Sequence, residues 1–188
     1  MVKLVSTKEL VDYTPEYYTE TGAENAPVYR LRVPNVFDRA KVKRELATLG
    51  IADLGFGGVV KAANEGIDLI AENAPEFDAE KAKAVFGEEL GNMLIPGKEK
   101  SAEFADIEAL LQEYPPYMDA VADFGYAWDV LPLVLVRMFL VECAELGVTA
   151  KVGGVTDADL AKIPANDLTV VGFYVWGLLF ARPDEKKD

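Results

Sequence analysis

Leu131-Pro-Leu-Val-Leu-Val-Arg137-Met-Phe-Leu-Val141 is the longest apolar run in the sequence, and it carries a single arginine near its middle. Trp128, Leu131, Leu135 and Met138 follow one another at intervals of 3, 4 and 3, and the spacing continues backwards through Phe124, Val121 and Tyr117. Side chains three and four apart share one face of an α-helix, so the spacing predicts a helix with one strongly apolar face. Val134, Val136 and Phe139 lie off that face. A helix apolar on nearly every side is one that other elements surround, which makes this stretch, over about 117–146, the core helix of a mainly α fold. Pro132 breaks the pattern: proline lacks one helical hydrogen bond and crowds the preceding turn, so it should kink the helix or mark its start.

Towards the amino terminus, Ser101 suits the cap of a helix with Phe104, Ile107, Leu111 and Tyr114 on one face, ended by Pro115-Pro116. Pro96-Gly97-Lys98-Glu99-Lys100 reads as an exposed turn, the place for an internal boundary if the chain has one. Before it, a helix from Asp78 to Leu90 would turn Ala82, Val85, Phe86 and Leu90 inward. Phe56, Val60, Ala63, Ile67 and Ile70 step by 4, 3, 4 and 3, a further amphipathic helix that Asn73-Ala74-Pro75 ends. Asn35 suits an N-cap, with Asp38 completing an aspartate version of the capping box and Gly50 closing the helix. Val42, Leu46 and Leu49 form its buried face; Asp38 and Arg39 sit on that side, so one or both should be partly buried and paired. Val28 to Val33 alternates as a half-buried strand does, and residues 2–6 are the nearest partner, giving a small β-hairpin over about 2–33 with loop and turn between.

Towards the carboxyl terminus, Thr156 caps a short helix ending at Ile163-Pro164. The β-branched and aromatic content of Leu168 to Phe180 would suit a strand, whereas Leu168, Val171, Val175 and Leu178 fit helical spacing and the length favours a helix. The whole reads as one domain over 1–182, with 183–188 a disordered charged tail.

Composition limits the chemistry. The net charge of -13 argues against a nucleic-acid surface over the chain as a whole. Histidine is absent, which removes imidazole-based triads and zinc sites, and the lone Cys143 reads as a small buried hydrophobe. No signal peptide is read at the start, and the core run is too short to span a bilayer. The pairs Glu88-Glu89, Asp119 with Asp123 and Asp157 with Asp159 read as solvated faces or helix starts. Gly55-Phe-Gly57-Gly58 lacks the lysine of a phosphate loop. Catalytic, cofactor and metal sites are therefore not expected. Val28 to Gly50 is a basic island, with Arg30, Arg32, Arg39, Lys41, Lys43 and Arg44 against Asp38 and Glu45, which leaves -17 on the rest. Arg137 must either reach water along its stem or form an internal ion pair with Asp129, Glu142 or a distant acid; both readings make it structural, like Asp38 and Arg39.

Two stretches together resemble a known family. Tyr29-Arg-Leu-Arg-Val-Pro34, with Asp38-Arg39 and the basic helix, is similar to the opening of the tail assembly chaperones of long-tailed phages and prophages. Leu131 to Leu140 with Arg137, then Gly153-Gly-Val-Thr-Asp157, then Leu160 to Pro164, an apolar segment and a charged tail, resembles that family's carboxy-terminal half. Glu142-Cys143 stands where the family carries a glycine-tryptophan pair. The resemblance covers about half the chain. It implies a non-enzymatic protein of the host cytoplasm, not part of the mature virion, that binds the tape-measure protein and keeps it soluble while the tail tube assembles. Family members are often extended by a programmed frameshift. Self-association is left open, and neither nucleic acid nor membrane is an expected partner.

If Leu168 to Phe180 is helical, Phe173, Trp176 and Phe180 form a second, aromatic side. Either the amino-terminal hairpin covers it, or it is the groove that docks a partner helix, with Trp176 as hot spot. Two other functions compete: an acidic mimic or inhibitor of a nucleic-acid-binding protein, and a permanent structural component of the virion tail.

Overall fold

The structure, a computed structural model, describes residues 9–92 and 99–180. Helix makes up 62% of the described residues, so the fold is mainly α with a small antiparallel sheet. The chain divides into two compact units, Asp53–Tyr126 and the combination of Met1–Ala52 with Ala127–Asp188. The turn expected at 96–100 falls largely outside the described residues.

Asp53–Tyr126 is built from α3 (Gly57–Asn73), α4 (Ala79–Asn92), α5 (Ala102–Leu111) and the first half of α6 (Pro115–Phe139). Ile67, Phe86, Phe104, Leu111 and Tyr117 fill its core, with the Phe86 ring 5.3 Å from that of Phe104 and edge-on to Tyr117 at 6.0 Å. Burial there, with the nearby Glu108 carboxylate, pushes the Tyr117 phenol up to about 12. The buried face of α3 is Val59, Ala62, Ala63, Gly66 and Ile67, with Phe56, Val60 and Ile70 packed beside it. Gly66 is there for contact: a Cβ would stand 2.7 Å from Leu111 Cδ2 and 2.8 Å from Tyr114 Cδ1. Ser101 caps α5 by accepting from the Phe104 N–H, as its position before an apolar run predicts.

The other unit carries a four-stranded sheet in the order β1 (Leu10–Tyr13), β2 (Tyr29–Arg32), β3 (Leu140–Cys143) and β4 (Val148–Thr149), each antiparallel to the next. The hairpin pairs Leu10 with Arg32 and Tyr13 with Tyr29. Residues 2–6 lie outside the described ones; the strand beside β2 falls instead where the sequence reads as loop, and the connection carries the short α1 (Glu16–Glu20). β1 lies at the sheet edge and none of its residues is buried, so it carries no apolar alternation strong enough to read. Arg30 ties three strands by bridging Asp12 at 3.0 Å and Glu142 at 3.4 Å.

The core helix ends earlier than 146. α6 stops at Phe139, and Leu140–Cys143 extends along β2, Leu31 opposite Leu140 and Arg30 opposite Glu142. Pairing satisfies the second edge of β2 and buries Leu140 and Cys143, which outweighs the helical spacing of this apolar run. Within α6, Leu131, Val134, Leu135, Val136 and Phe139 are all buried, as expected of a helix apolar nearly all round. Pro132 lies inside the helix and not at its start.

α2 (Val36–Thr48) opens with the expected capping box: the Asn35 side chain accepts from the Phe37 N–H, and the Asp38 carboxylate accepts from the Asn35 N–H at 2.9 Å. Val42 and Leu46 are buried, but Leu49 is exposed because α2 ends before it and Gly50 turns away at φ +82°. Gly153 and Gly154 make a tight turn with φ of +102° and +107°. It brings the Val155 N–H onto the Arg137 carbonyl at 3.0 Å, and a Cβ on Gly154 would stand 2.3 Å from that oxygen. Two helices follow, α7 (Asp157–Leu160) and α8 (Ala165–Phe180), so Leu168 to Phe180 is helical.

Candidate partner-binding surface

α8 buries Val171, Gly172, Val175 and Leu179. The inward face is thus one residue off the expected register at its end, Leu179 replacing Leu178, while Leu168 is only partly buried. The register is set by Gly172, which lies against Pro132 of α6 so closely that a Cβ would be 2.5 Å from the proline Cα.

On its other side α8 presents the aromatic stripe. Phe173 is 38% exposed and Phe180 52%, with Trp176 intermediate. The partial cover comes from Trp128 of α6, whose ring lies 5.9 Å from Phe173 and edge-on to Trp176 at 6.4 Å. Trp176 in turn packs on Phe180 at 4.5 Å. The hairpin reaches α8 beside the stripe, where Tyr13 stacks on Tyr174 at 4.0 Å. Arg39 borders the stripe: its guanidinium lies 4.7 Å over the Phe180 ring, and its Nε donates to the Leu179 carbonyl at 2.8 Å, which caps the last turn of α8. Asp38 and Arg39 therefore part company. Asp38 is fully buried and accepts from Arg32 at 2.7 Å and Lys41 at 3.2 Å, whereas Arg39 is exposed and serves α8. Burial works against the Asp38 carboxylate's charge, but these donors and the Asn35 N–H outweigh it and hold its pKa below the ordinary value.

Arg137 reaches a distant acid, Asp157 in the first turn of α7. Its side chain is 43% exposed and that of Asp157 86%, so the stem-along-the-surface reading and the ion pair are both realised, at the edge of the core. An exposed pair contributes under about 1 kcal/mol. Arg137→Met is accordingly expected to shift the melting temperature by no more than about 3 °C, measured by thermal unfolding.

A polar centre has no counterpart in the sequence reading. Asp167, in the first turn of α8, is buried, and its carboxylate accepts from the hydroxyls of Tyr17, Tyr18 and Tyr29. Burial, with Asp167 as hydrogen-bond partner, raises the Tyr17 and Tyr29 phenols well above their ordinary value. Nothing in the spacing connects residues some 140–150 positions apart; the only hint is a cluster of tyrosines with no helical or strand period. Nearby, burial raises the Cys143 thiol to about 11, which keeps it protonated and unreactive at neutral pH.

The pair Asp157 and Asp159 is structural: Asp159 binds Lys162 at 2.6 Å and caps with Thr156, and Asp157 holds Arg137. Among the described residues no group of three or more His, Cys, Asp or Glu could hold a metal, and no helix is long and apolar enough to cross a membrane. Compared with protein-family models, with curated proteins and with solved structures, the chain finds no match in any of the three.

Proposed function

We propose that the protein is a non-enzymatic tail assembly chaperone of a long-tailed phage or prophage, which docks amphipathic helices of the tape-measure protein on α8 and keeps that chain soluble during tail tube assembly. The observation that carries this reading is the aromatic stripe of Phe173, Trp176 and Phe180: partly exposed side chains on a helix whose opposite face is anchored in the core. Such a row offers the apolar, largely rigid strip that a helix-in-groove partner needs, and Arg39 at its end supplies a cation over an aromatic ring. The resemblance of Tyr29 to Pro34 and of Leu131 to Pro164 supplies the kind of partner. Its place of action is the host cytoplasm.

Trp176 is the expected hot spot. Trp176→Ala should weaken co-purification with the tape-measure protein about 30-fold or more, while circular dichroism still reports a folded chain. Phe180→Ser, at the more exposed end of the stripe, should weaken it without touching Trp128. Undiminished binding in both variants would remove α8 as the docking face.

A further inference from the structure

The net charge is divided unevenly between the two units. Asp53–Tyr126 holds 16 Asp and Glu against 5 Lys and no Arg, so -11 of the total -13 belongs to it. Within this unit Phe77, Ala82, Ile107 and Leu110 line a cleft of about 260 Å³, with Leu110 45% exposed. That is room for a side chain or two and less than the roughly 300–1,000 Å³ of small-molecule sites. At its rim Lys81 is already held by Glu103 at 2.5 Å, while Glu76 and Asp106 are exposed and in no ion pair among the described residues. The cleft is therefore apolar inside and negative outside, and its natural occupant is a helix bearing a bulky apolar side chain followed by cations.

The chain itself carries such a helix. α2 turns Asp38, Val42 and Leu46 inward, and its outward face reads Val36, Phe37, Ala40, Lys43, Arg44 and Ala47. Val36 and Phe37 are 72% and 73% exposed on a first turn that the capping box fixes rigidly. Lys43 and Arg44 follow two turns later, exposed and in no ion pair among the described residues, while the two alanines let another surface approach closely. Val36 and Phe37 are adjacent, so the apolar surface they expose is contiguous and lies at one end of the face that carries the two cations.

We propose that the protein self-associates head to tail, α2 of one copy lying across the acidic cleft of another, with Phe37 entering between Phe77 and Leu110 and Lys43 and Arg44 meeting Glu76 and Asp106. The contact joins two different patches, so association can propagate beyond a pair. It does not depend on the chaperone reading or on the aromatic stripe of α8.

Sedimentation velocity over a concentration series tests it. The wild-type chain should gain mass with concentration at about 20 mM salt and lose most of that gain at about 0.5 M salt, because exposed charges are then screened. Phe37→Ser should weaken association about tenfold or more. The decisive step uses two charge-reversed chains, K43E/R44E and E76K/D106K. Each alone should be monomeric, and their equimolar mixture should associate, since each then offers what the other lacks. All the reversed residues are exposed, so unfolding transitions should match wild type. A wild-type chain that stays monomeric at low salt and high concentration would overturn the proposal. So would association that survives both reversals, or a mixture that remains monomeric.

Discussion

Asp167→Ala is expected to cost about 3 kcal/mol of folding stability and to lower the melting temperature by about 6–12 °C. The carboxylate is 1% exposed and is the acceptor for three phenol hydroxyls drawn from α1 and β2. Removing it leaves the Tyr29 hydroxyl, on a side chain with no exposure, without its acceptor, at about 1–3 kcal/mol. Tyr17 and Tyr18 are only partly buried and recover some of their loss from water. The substitution also removes a negative charge from the first turn of α8, where it opposes the helix dipole, worth about 0.3–1 kcal/mol. Asp167→Asn keeps the shape and one acceptor oxygen and should cost about half as much. Tyr29→Phe removes a single donor and should cost about 1 kcal/mol. The same centre sets an alkaline limit. A phenol whose folded pKa lies above its unfolded value of 10.0 contributes stability that is fully present below that pH and is lost as the pH rises through the folded value. Wild-type melting temperature should therefore fall above about pH 10, more steeply than in Tyr29→Phe. An Asp167→Ala chain as stable as wild type would show that the tyrosines are not held by this carboxylate.

Gly172→Ala is expected to cost about 3 kcal/mol, again measured by thermal unfolding. Alanine is the better helix former by about 1 kcal/mol, so propensity alone predicts stabilisation. Packing reverses the sign. The added Cβ would stand 2.5 Å from both the Cα and the Cβ of Pro132 and 3.0 Å from its carbonyl oxygen, and neither backbone nor ring can turn aside. α8 must then lift away from α6 and disturb the packing of Val171 and Val175 and the partial cover that Trp128 gives Phe173 and Trp176. Gly177, on the exposed side of the same helix, is the control, since an added Cβ there would meet nothing within 4 Å: Gly177→Ala should be neutral or stabilising by up to about 1 kcal/mol.

Elements with a strong local signal are legible from sequence. The capping box at Asn35 and Asp38, the Ser101 and Thr156 caps and the apolar spacing of α4 and α5 each depend on residues within a few positions of one another. The end of α6 is not legible: Leu140–Cys143 continues the apolar run of the helix before it, and only the open edge of β2, more than a hundred positions away, draws it into the sheet. β1 escapes for a related reason, being four residues long and unburied. In the candidate surface, Phe173, Trp176 and Phe180 are readable as a stripe, but spacing alone puts their neighbour Trp128 on the core face of α6 and Arg39 beside Asp38. Spacing treats one helix at a time, whereas the stripe is assembled by α2, α6 and α8 together.

If α8 holds a tape-measure chain in solution, as proposed, a long helical protein should be encoded in the neighbouring reading frame, and co-expressing it with this chain should decide how much of it remains in the soluble fraction. The partner should be soluble and co-purify with the wild-type chain, and be lost to the pellet when the chain is absent or carries Trp176→Ala. A partner equally soluble in all three cases, or a neighbouring frame that encodes no such helical chain, would contradict it.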